Sequence, residues 1–510
     1  MYLLDSIEKA QNAVRDILKN PALTHEQIVA KLAITAENLL GYPQGTPDDF
    51  YTLFDKDMIC DLGEGHAPYS ARYILPDYDK LMKEGCAFLR LQKPRTLYEA
   101  LNTLLVFYRH VPSVIHFPVF MGHIDRLLEP FITGEKESRE LIRGFLTHCD
   151  RTFGSSFCQM NIGPAATRAG RIILELEAEL QNSIPNMTLL YDPAITPDDF
   201  AELAVQTALV SANPAFAYHP AYEHDFHPGS YGIASCYNGL PLRGGAFTLS
   251  RVRLNRIAEH SSSQEDFFNR ALPHTVRVLC EFIEAKIRFL VNDTPFFKNH
   301  FLVREGFVEQ DRFLGLFGMV GLCECVNVLM EKEHKQGRFG PDEEANQLGV
   351  QVMERLKEET ERFTSAYSPI WNHHFALHAQ VGAEGDLGVS PGARIAIGSE
   401  IPLYDHLRQA GLYHPFFSTG VGDIFPFEPI AARNPKAILD VFKGSFQTGM
   451  RYISTYASNS DLVRVTGYLV KRSDIEKFRA GEAVINETVG GSFESFEYKG
   501  IENRKVRTLA

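Results

Sequence analysis

Two residues carry the chemistry for which this sequence is most informative. Cys236 sits in YGIASCYNGLPLRGG, with small and turn-forming residues on both sides. Such flanks place a thiol at the tip of a loop between two strands, aimed into a cavity; a strand-end cysteine in the core is the alternative. Gly467 sits in RVTGYLV, inside a run that otherwise reads as a buried strand. Glycine weakens a strand unless it marks a bulge or a close backbone approach. Either reading stands on the local pattern alone.

Weaker constellations lie elsewhere. WNHHFALH (371–378) puts His374 and His378 four residues apart, which on a helix would make a metal pair, but no acidic third ligand follows at motif spacing. The eight cysteines are scattered, with no CxxC pair, so neither a disulfide framework nor a four-cysteine zinc site is indicated. Cys323 and Cys325, two apart in a helix-like segment, point to different faces and read as core.

The elements that must position Cys236 and Gly467 come from patterning. Residues 5–40 read as two helices, the second opened by Thr24 and Gln27 in a capping box. PRTLYEALNTLLVFY (94–108) reads as a helix. NMTLLYD (186–192) is a strand, followed by a helix that Thr196 would cap with Pro197 in its first turn, then the apolar run PAFAY (214–218). Strand, helix, strand is a βαβ signature. Further helices are expected over 264–290, 313–332 and 341–366, in one large α/β domain with mostly parallel strands.

Composition is ordinary for a globular chain of 510 residues, 45% hydrophobic and 23% charged. A net charge of −13 argues against a nucleic-acid surface. No apolar run is long enough for a membrane span, and the N-terminus lacks a cleavable signal pattern, so a cytoplasmic protein is expected.

ASCYNGLPLRGGAFTLSRVRLNRIA resembles the thiyl-cysteine loop of glycyl radical enzymes, especially anaerobic ribonucleotide reductases, and RVTGY (464–468) resembles their glycyl radical motif. GHAPYSARYILPDYDKLMKEG (65–85), which holds His66, and FMGHIDRLLEPF (120–131), which holds Asp125, are similar to further superfamily blocks, so the resemblance runs from about 60 to 480. In size and loop wording the chain is similar to the YjjI-type glycine radical enzyme family.

The resemblance implies a ten-stranded α/β barrel of two five-stranded parallel half-barrels, with the Cys236 and Gly467 loop tips meeting inside and helices outside. Residues 1–450 would form the barrel and 451–510 the glycyl radical domain. It further implies a radical stored on Gly467 and relayed to Cys236, whose thiyl takes hydrogen from a small polar substrate. No bound metal or organic cofactor is expected. A separate activating enzyme would supply the oxidising equivalent with S-adenosylmethionine and an iron–sulfur cluster. A homodimer is expected on the same ground.

Only glycine suits the storage role, because a Cα radical without Cβ can flatten and delocalise over both neighbouring amides. The departures from better-known relatives limit the reaction. Ser235 precedes Cys236, so the paired cysteines of formate-lyase types are missing, and Asn238 stands where diol and amine lyases carry a basic Glu. Residues 440–463 contain no cysteine, so the zinc site of the reductases is missing too. STGVGDIFPFE (418–428) sits where the reductases have a substrate-facing loop, which makes Asn238, Ser418, Thr419 and Asp423 substrate-binding candidates; Asp423 is equally a turn residue beside Gly422. Reductase-like or dehydratase-type C–O cleavage, and a non-catalytic barrel, are the alternative readings.

Overall fold

The computed structural model describes residues 2–62, 66, 68–227, 229–380, 388–490 and 501–509. Gly65 and Ala67 of the 65–85 block lie outside these, as do residues 491–500 of the C-terminal segment.

Two five-stranded sheets form the centre. In the first, β8 (Gly244–Arg253), β9 (Phe313–Val320) and β10 (Ala376–Ala379) run parallel, while β1 (Ile59–Cys60) and β2 (Tyr73–Leu75) pair antiparallel to β8. In the second, β3 (Gln159–Ile162), β4 (Asn186–Tyr191) and β5 (Ala215–Tyr218) run parallel; β12 (Tyr452–Ala457) is antiparallel to β5 and carries β11 (Asp423–Phe427) parallel on its far side. The expectation of wholly parallel half-barrels is thus corrected, since each sheet is mixed. Short β1 and β2 reach β8 from loops rather than through crossover helices, and so are free to run antiparallel.

The βαβ reading of 186–218 holds: β4 and β5 are parallel neighbours joined by the helix Asp198–Ser211, which packs on β12. Its cap differs from expectation. Pro197 occupies the N-cap position, and the Thr196 hydroxyl instead donates to the Pro164 carbonyl and accepts from the Asp192 amide. The capping box at Thr24 and Gln27 is present. The helix expected over 313–332 is a strand followed by a helix, Leu322–Lys332, broken at Gly321 in the left-handed region. FLGLFGMV is apolar at every position because both of its faces are buried, and such a run does not by itself distinguish strand from helix.

Two hairpins stand apart from the sheets: β6 (Tyr231–Ala234) with β7 (Asn238–Pro241), and β13 (Leu462–Arg464) with β14 (Leu469–Lys471). Most of the apolar interior is one continuous core. A smaller cluster joins Leu462, Val463, Val465, Leu469 and Val470 of the second hairpin, and Ile475, Val484 and Val489 of the segment that follows, to Ala212, Ile424 and Tyr456. Among the described residues no helix is long and apolar enough to cross a membrane.

Candidate active site at the meeting of two hairpins

Cys236 lies in the loop of the β6–β7 hairpin, after Ser235, whose backbone is left-handed with φ +62°. This hairpin is held between the sheets by side chains acting on its backbone. Asn161 of β3 donates Nδ2–H to the Ile233 carbonyl at 2.8 Å and accepts the Ile233 amide at 2.7 Å, as a neighbouring strand would. The Ser235 amide donates to Val119 O, and the Tyr237 hydroxyl donates to Ala379 O of β10 at 2.8 Å. Tyr452 of β12 donates its hydroxyl to the Cys236 carbonyl itself, also at 2.8 Å.

Gly467 lies in the loop of the β13–β14 hairpin, so the opening RVTGYLV is two short strands with the glycine between them rather than one strand. Both Cys236 and Gly467 are buried. A Cβ at Gly467 would lie 2.4 Å from Cys236 Cβ, 3.1 Å from its Sγ and 3.1 Å from Tyr237 Cδ1. Glycine is therefore required here by the close approach of the two loops, not by a positive φ.

The four carbonyls of the turn 464–467 all accept side-chain donors. Arg504 donates to the oxygens of Arg464 (2.8 Å) and Val465 (3.0 Å), and Arg394 donates Nη1–H to Thr466 O (3.1 Å). Gly467 O accepts from Asn186 Nδ2 (2.9 Å) and Arg464 Nη1 (3.3 Å). Arg464 is fully buried and also donates to Ala212 O, Asn186 Oδ1 and Asn213 Oδ1. These donors hold rigidly a loop that has little regular secondary structure of its own.

Burial pushes the Cys236 thiol up to about 11, with Arg394 and Arg464 only partly offsetting it, so near neutral pH the group is S–H. Its S–H donates to Asn238 Oδ1, with Sγ 3.7 Å away. The other weak candidates face protein groups. The Ser418 hydroxyl bonds the Asp225 carboxylate, Thr419 donates to Leu377 O at 2.8 Å, and Asp423 accepts from His406 Nε2 at 3.1 Å. Burial pushes the Asp423 carboxyl up, but His406 and Arg394 outweigh it and hold it below its ordinary value. The 418–422 loop nonetheless abuts the site through its backbone: Gly422 packs on Tyr452 and Tyr237, and its carbonyl accepts Arg394 Nε–H at 2.5 Å.

His374 and His378 do not form a helical pair. His378 is in β10 and donates Nδ1–H to Thr419 O, while His374 lies before the strand and bonds Phe363 O. Alternation in a strand cannot stack residues four apart into the helical ligand geometry. Among the described residues no group of three or more His, Cys, Asp or Glu is placed to hold a metal ion. His66 bonds Leu40 O, and buried Asp125 accepts from the Gly163 amide and the Thr167 hydroxyl, both at 3.0 Å. Cys323 and Cys325 are buried in the helix Leu322–Lys332, as expected of core residues.

The family model of YjjI-like glycyl radical enzymes matches residues 23–507. The chain belongs to this family. A protein of Haemophilus influenzae described as uncharacterised is 40% identical over 503 residues, covering 97% of each chain. The uncharacterised YjjI of Escherichia coli K12 is 41% identical over 480 residues, covering 94% of this chain and 92% of that one. Among solved structures, an anaerobic ribonucleotide reductase superposes with a TM-score of 0.74 at 12% identity, covering 100% of this chain and 94% of the other. The B12-independent glycerol dehydratase of Clostridium butyricum superposes with a TM-score of 0.65 at 13% identity, covering 90% and 86%. These likenesses carry the α/β fold, and two such different chemistries on it leave the reaction to be argued from the site.

Arg394, Arg504, Asn186 and Tyr452 were not singled out by the sequence. Asn186 alone had a visible signal, as the polar residue that heads the apolar strand NMTLLY.

Proposed function

We propose that this YjjI-like glycyl radical enzyme stores its radical on Gly467 and passes it to Cys236. Cys236 gives its S–H hydrogen to the Gly467 Cα, breaking one S–H bond and forming one C–H bond. The sulfur, now one electron short, takes a hydrogen atom from a C–H bond of a small polar substrate. The observation that carries this reading is the approach of the two loops, with a Cβ at Gly467 only 3.1 Å from Cys236 Sγ. Hydrogen-atom transfer needs such near contact in a dry site, and both residues are buried.

Activation requires a partner, a radical S-adenosylmethionine enzyme carrying an iron–sulfur cluster, and access to Gly467. The β13–β14 hairpin packs outside the main core, in a smaller cluster that meets the sheets and helices at Ala212, Ile424 and Tyr456, the boundary at which it would part. We take 451–510 as the glycyl radical domain, within a ten-stranded barrel closed from the two sheets. Its first strand, β12, pairs with both β5 and β11, so the moving part starts beyond Ala457. The working protein is proposed to be a cytoplasmic homodimer in anaerobic cells.

Asn238 beside the thiol can orient a substrate hydroxyl or carbonyl but cannot take a proton. That stands against an elimination assisted by a base at this position and leaves reductase-like or dehydratase-type C–O cleavage as the alternative reading. Ser418, Thr419 and Asp423 would contribute by shaping the loop rather than through free side chains.

Electron paramagnetic resonance of anaerobic protein, coexpressed with the activase, tests the reading. A doublet from one α-hydrogen, lost in Gly467→Ala, and oxygen cleavage that releases the fragment 467–510 are expected. Silence from the wild type with an activase shown to be active would overturn it.

A further inference from the structure

The Cα of Gly467 lies between two amides, and each of their carbonyl oxygens accepts a cationic donor: Thr466 O from Arg394, and Gly467 O from Arg464 together with Asn186. We propose that these donors act on the Gly467 Cα–H bond in opposite directions, Arg464 and Asn186 weakening it and Arg394 strengthening it. This inference rests on the reading of Gly467 as the radical carrier.

The argument is electronic. An unpaired electron on the glycine Cα is shared with the nitrogen lone pair on one side and the carbonyl on the other. The charge-separated form places negative charge on Gly467 O and positive charge on Gly467 N. Donors at Gly467 O favour that form, and the bond from a guanidinium is of the stronger, charge-assisted kind. A cation at Thr466 O does the reverse. It draws the Gly467 nitrogen lone pair into the Thr466 amide and away from Cα.

Both effects are large only where water does not screen them. Arg464 is fully buried, and burial pulls its guanidinium below its ordinary value, a sign of poor solvation. Arg504, by comparison, bonds the carbonyls of Arg464 and Val465, neither of which is conjugated with the Gly467 Cα. It clamps the loop without electronic reach to the radical carbon. The position of Arg394 is further tied to the 418–422 loop by its bond to Gly422 O, so the strengthening arm is anchored beside Tyr237.

The test compares activated wild type with Arg394→Gln, Arg394→Lys, Arg464→Lys and Asn186→Ser. The lifetime of the doublet in anaerobic buffer with a thiol reductant is followed by electron paramagnetic resonance. The rate at which the doublet collapses in D2O, as Cys236 carries solvent deuterium onto the Gly467 Cα, is followed in parallel. Loss of a hydrogen bond to a charged group corresponds to roughly tenfold in a rate. Arg394→Gln is therefore expected to lengthen the lifetime and slow the exchange by about that factor, with Arg394→Lys returning toward wild type. Asn186→Ser and Arg464→Lys are expected to shorten the lifetime and speed the exchange; Asn186→Ser carries this arm alone if the arginine variant does not fold. A loosened loop would instead slow exchange and shorten lifetime in every variant. Shifts of the same sign on both sides, or none, would overturn the inference while a wild-type doublet leaves the Gly467 reading standing. A wild type without a doublet would remove both.

Discussion

Tyr452 donates its hydroxyl to the carbonyl oxygen of Cys236 at 2.8 Å, tying the second sheet to the residue whose position matters most. The direction of the chain behind it follows. The single Tyr452 proton goes to Cys236 O, so the Thr188 hydroxyl, 3.1 Å away, donates to the tyrosine oxygen and accepts from Gln159 Nε2 at 2.6 Å. Strands β3, β4 and β12 thus converge on one peptide of the thiol loop.

Tyr452→Phe keeps the ring and removes this bond, leaving the buried Cys236 carbonyl and Thr188 hydroxyl short of a partner at a cost of about 1–3 kcal/mol. The expected outcome is an unchanged yield of glycyl radical with exchange of its α-hydrogen in D2O slowed about tenfold, since the cost falls on the geometry of transfer. Exchange at the wild-type rate would reduce Tyr452 to packing.

Under the proposed relay, Cys236→Ser separates storage from transfer. A serine O–H bond is stronger than a thiol S–H bond, so the hydroxyl cannot return a hydrogen atom to the Gly467 Cα. The doublet is expected to form normally and to keep its splitting in D2O indefinitely. Collapse of the doublet in this variant would show that another group exchanges hydrogen with Gly467.

Burial also fixes how the site responds to pH. Hydrogen-atom transfer needs the protonated thiol, and burial raises Cys236 to about 11. The folded value lies above the ordinary one, so the group's contribution to stability is complete below the ordinary thiol value and fades as pH rises through about 11. The α-hydrogen exchange rate should be flat from about pH 6 to 9 and fall only above that range. Alkylation of Cys236 should be slow throughout. An inflection near 8.5, the ordinary thiol value, would mean that the thiol is solvated.

The legible part of the molecule was the part whose chemistry is local in sequence. Cys236 is marked by its immediate neighbours, because a tight loop needs turn-forming residues around it, whereas RVTGYLV reads locally as a strand and its turn shows only in the structure. The clamp on the 464–467 turn was not legible, since Arg394, Arg504 and Asn186 reach that turn only by tertiary folding, and a lone arginine in a chain carries no sign of its partner. Misreadings elsewhere have similar causes. Phe313–Val320 is buried on both faces and so has no period to separate strand from helix, and His374 and His378 lose their apparent pairing once His378 is in a strand. The mixed direction of the first sheet depends on β1 and β2, of two and three residues, which leave almost no pattern, and that of the second on β12 running antiparallel to β5, which no local pattern marks.

The strap 484–490 that follows the β13–β14 hairpin offers a last, titratable handle. Gln27 donates to Val484 O at 2.9 Å, the Glu487 amide donates to Gly154 O at 2.7 Å, and Thr488 and Ser156 share a hydrogen bond at 2.9 Å. Burial pushes the Glu487 carboxyl up to about 7, with Lys31 partly offsetting it. His25, Glu26, Arg109, His116 and Arg151 line the same cleft of about 690 Å³. Because the folded value is raised, the stabilisation is complete below the ordinary carboxylate range and is lost as pH rises through about 7. Raising the pH from about 6 to 8 should therefore loosen the strap and expose the hairpin it holds. Limited proteolysis or amide hydrogen exchange across 484–490 should increase over that interval in the wild type and stay level in Glu487→Gln, which keeps the shape and cannot ionise. Equal pH responses in the two proteins would assign the loosening to another group.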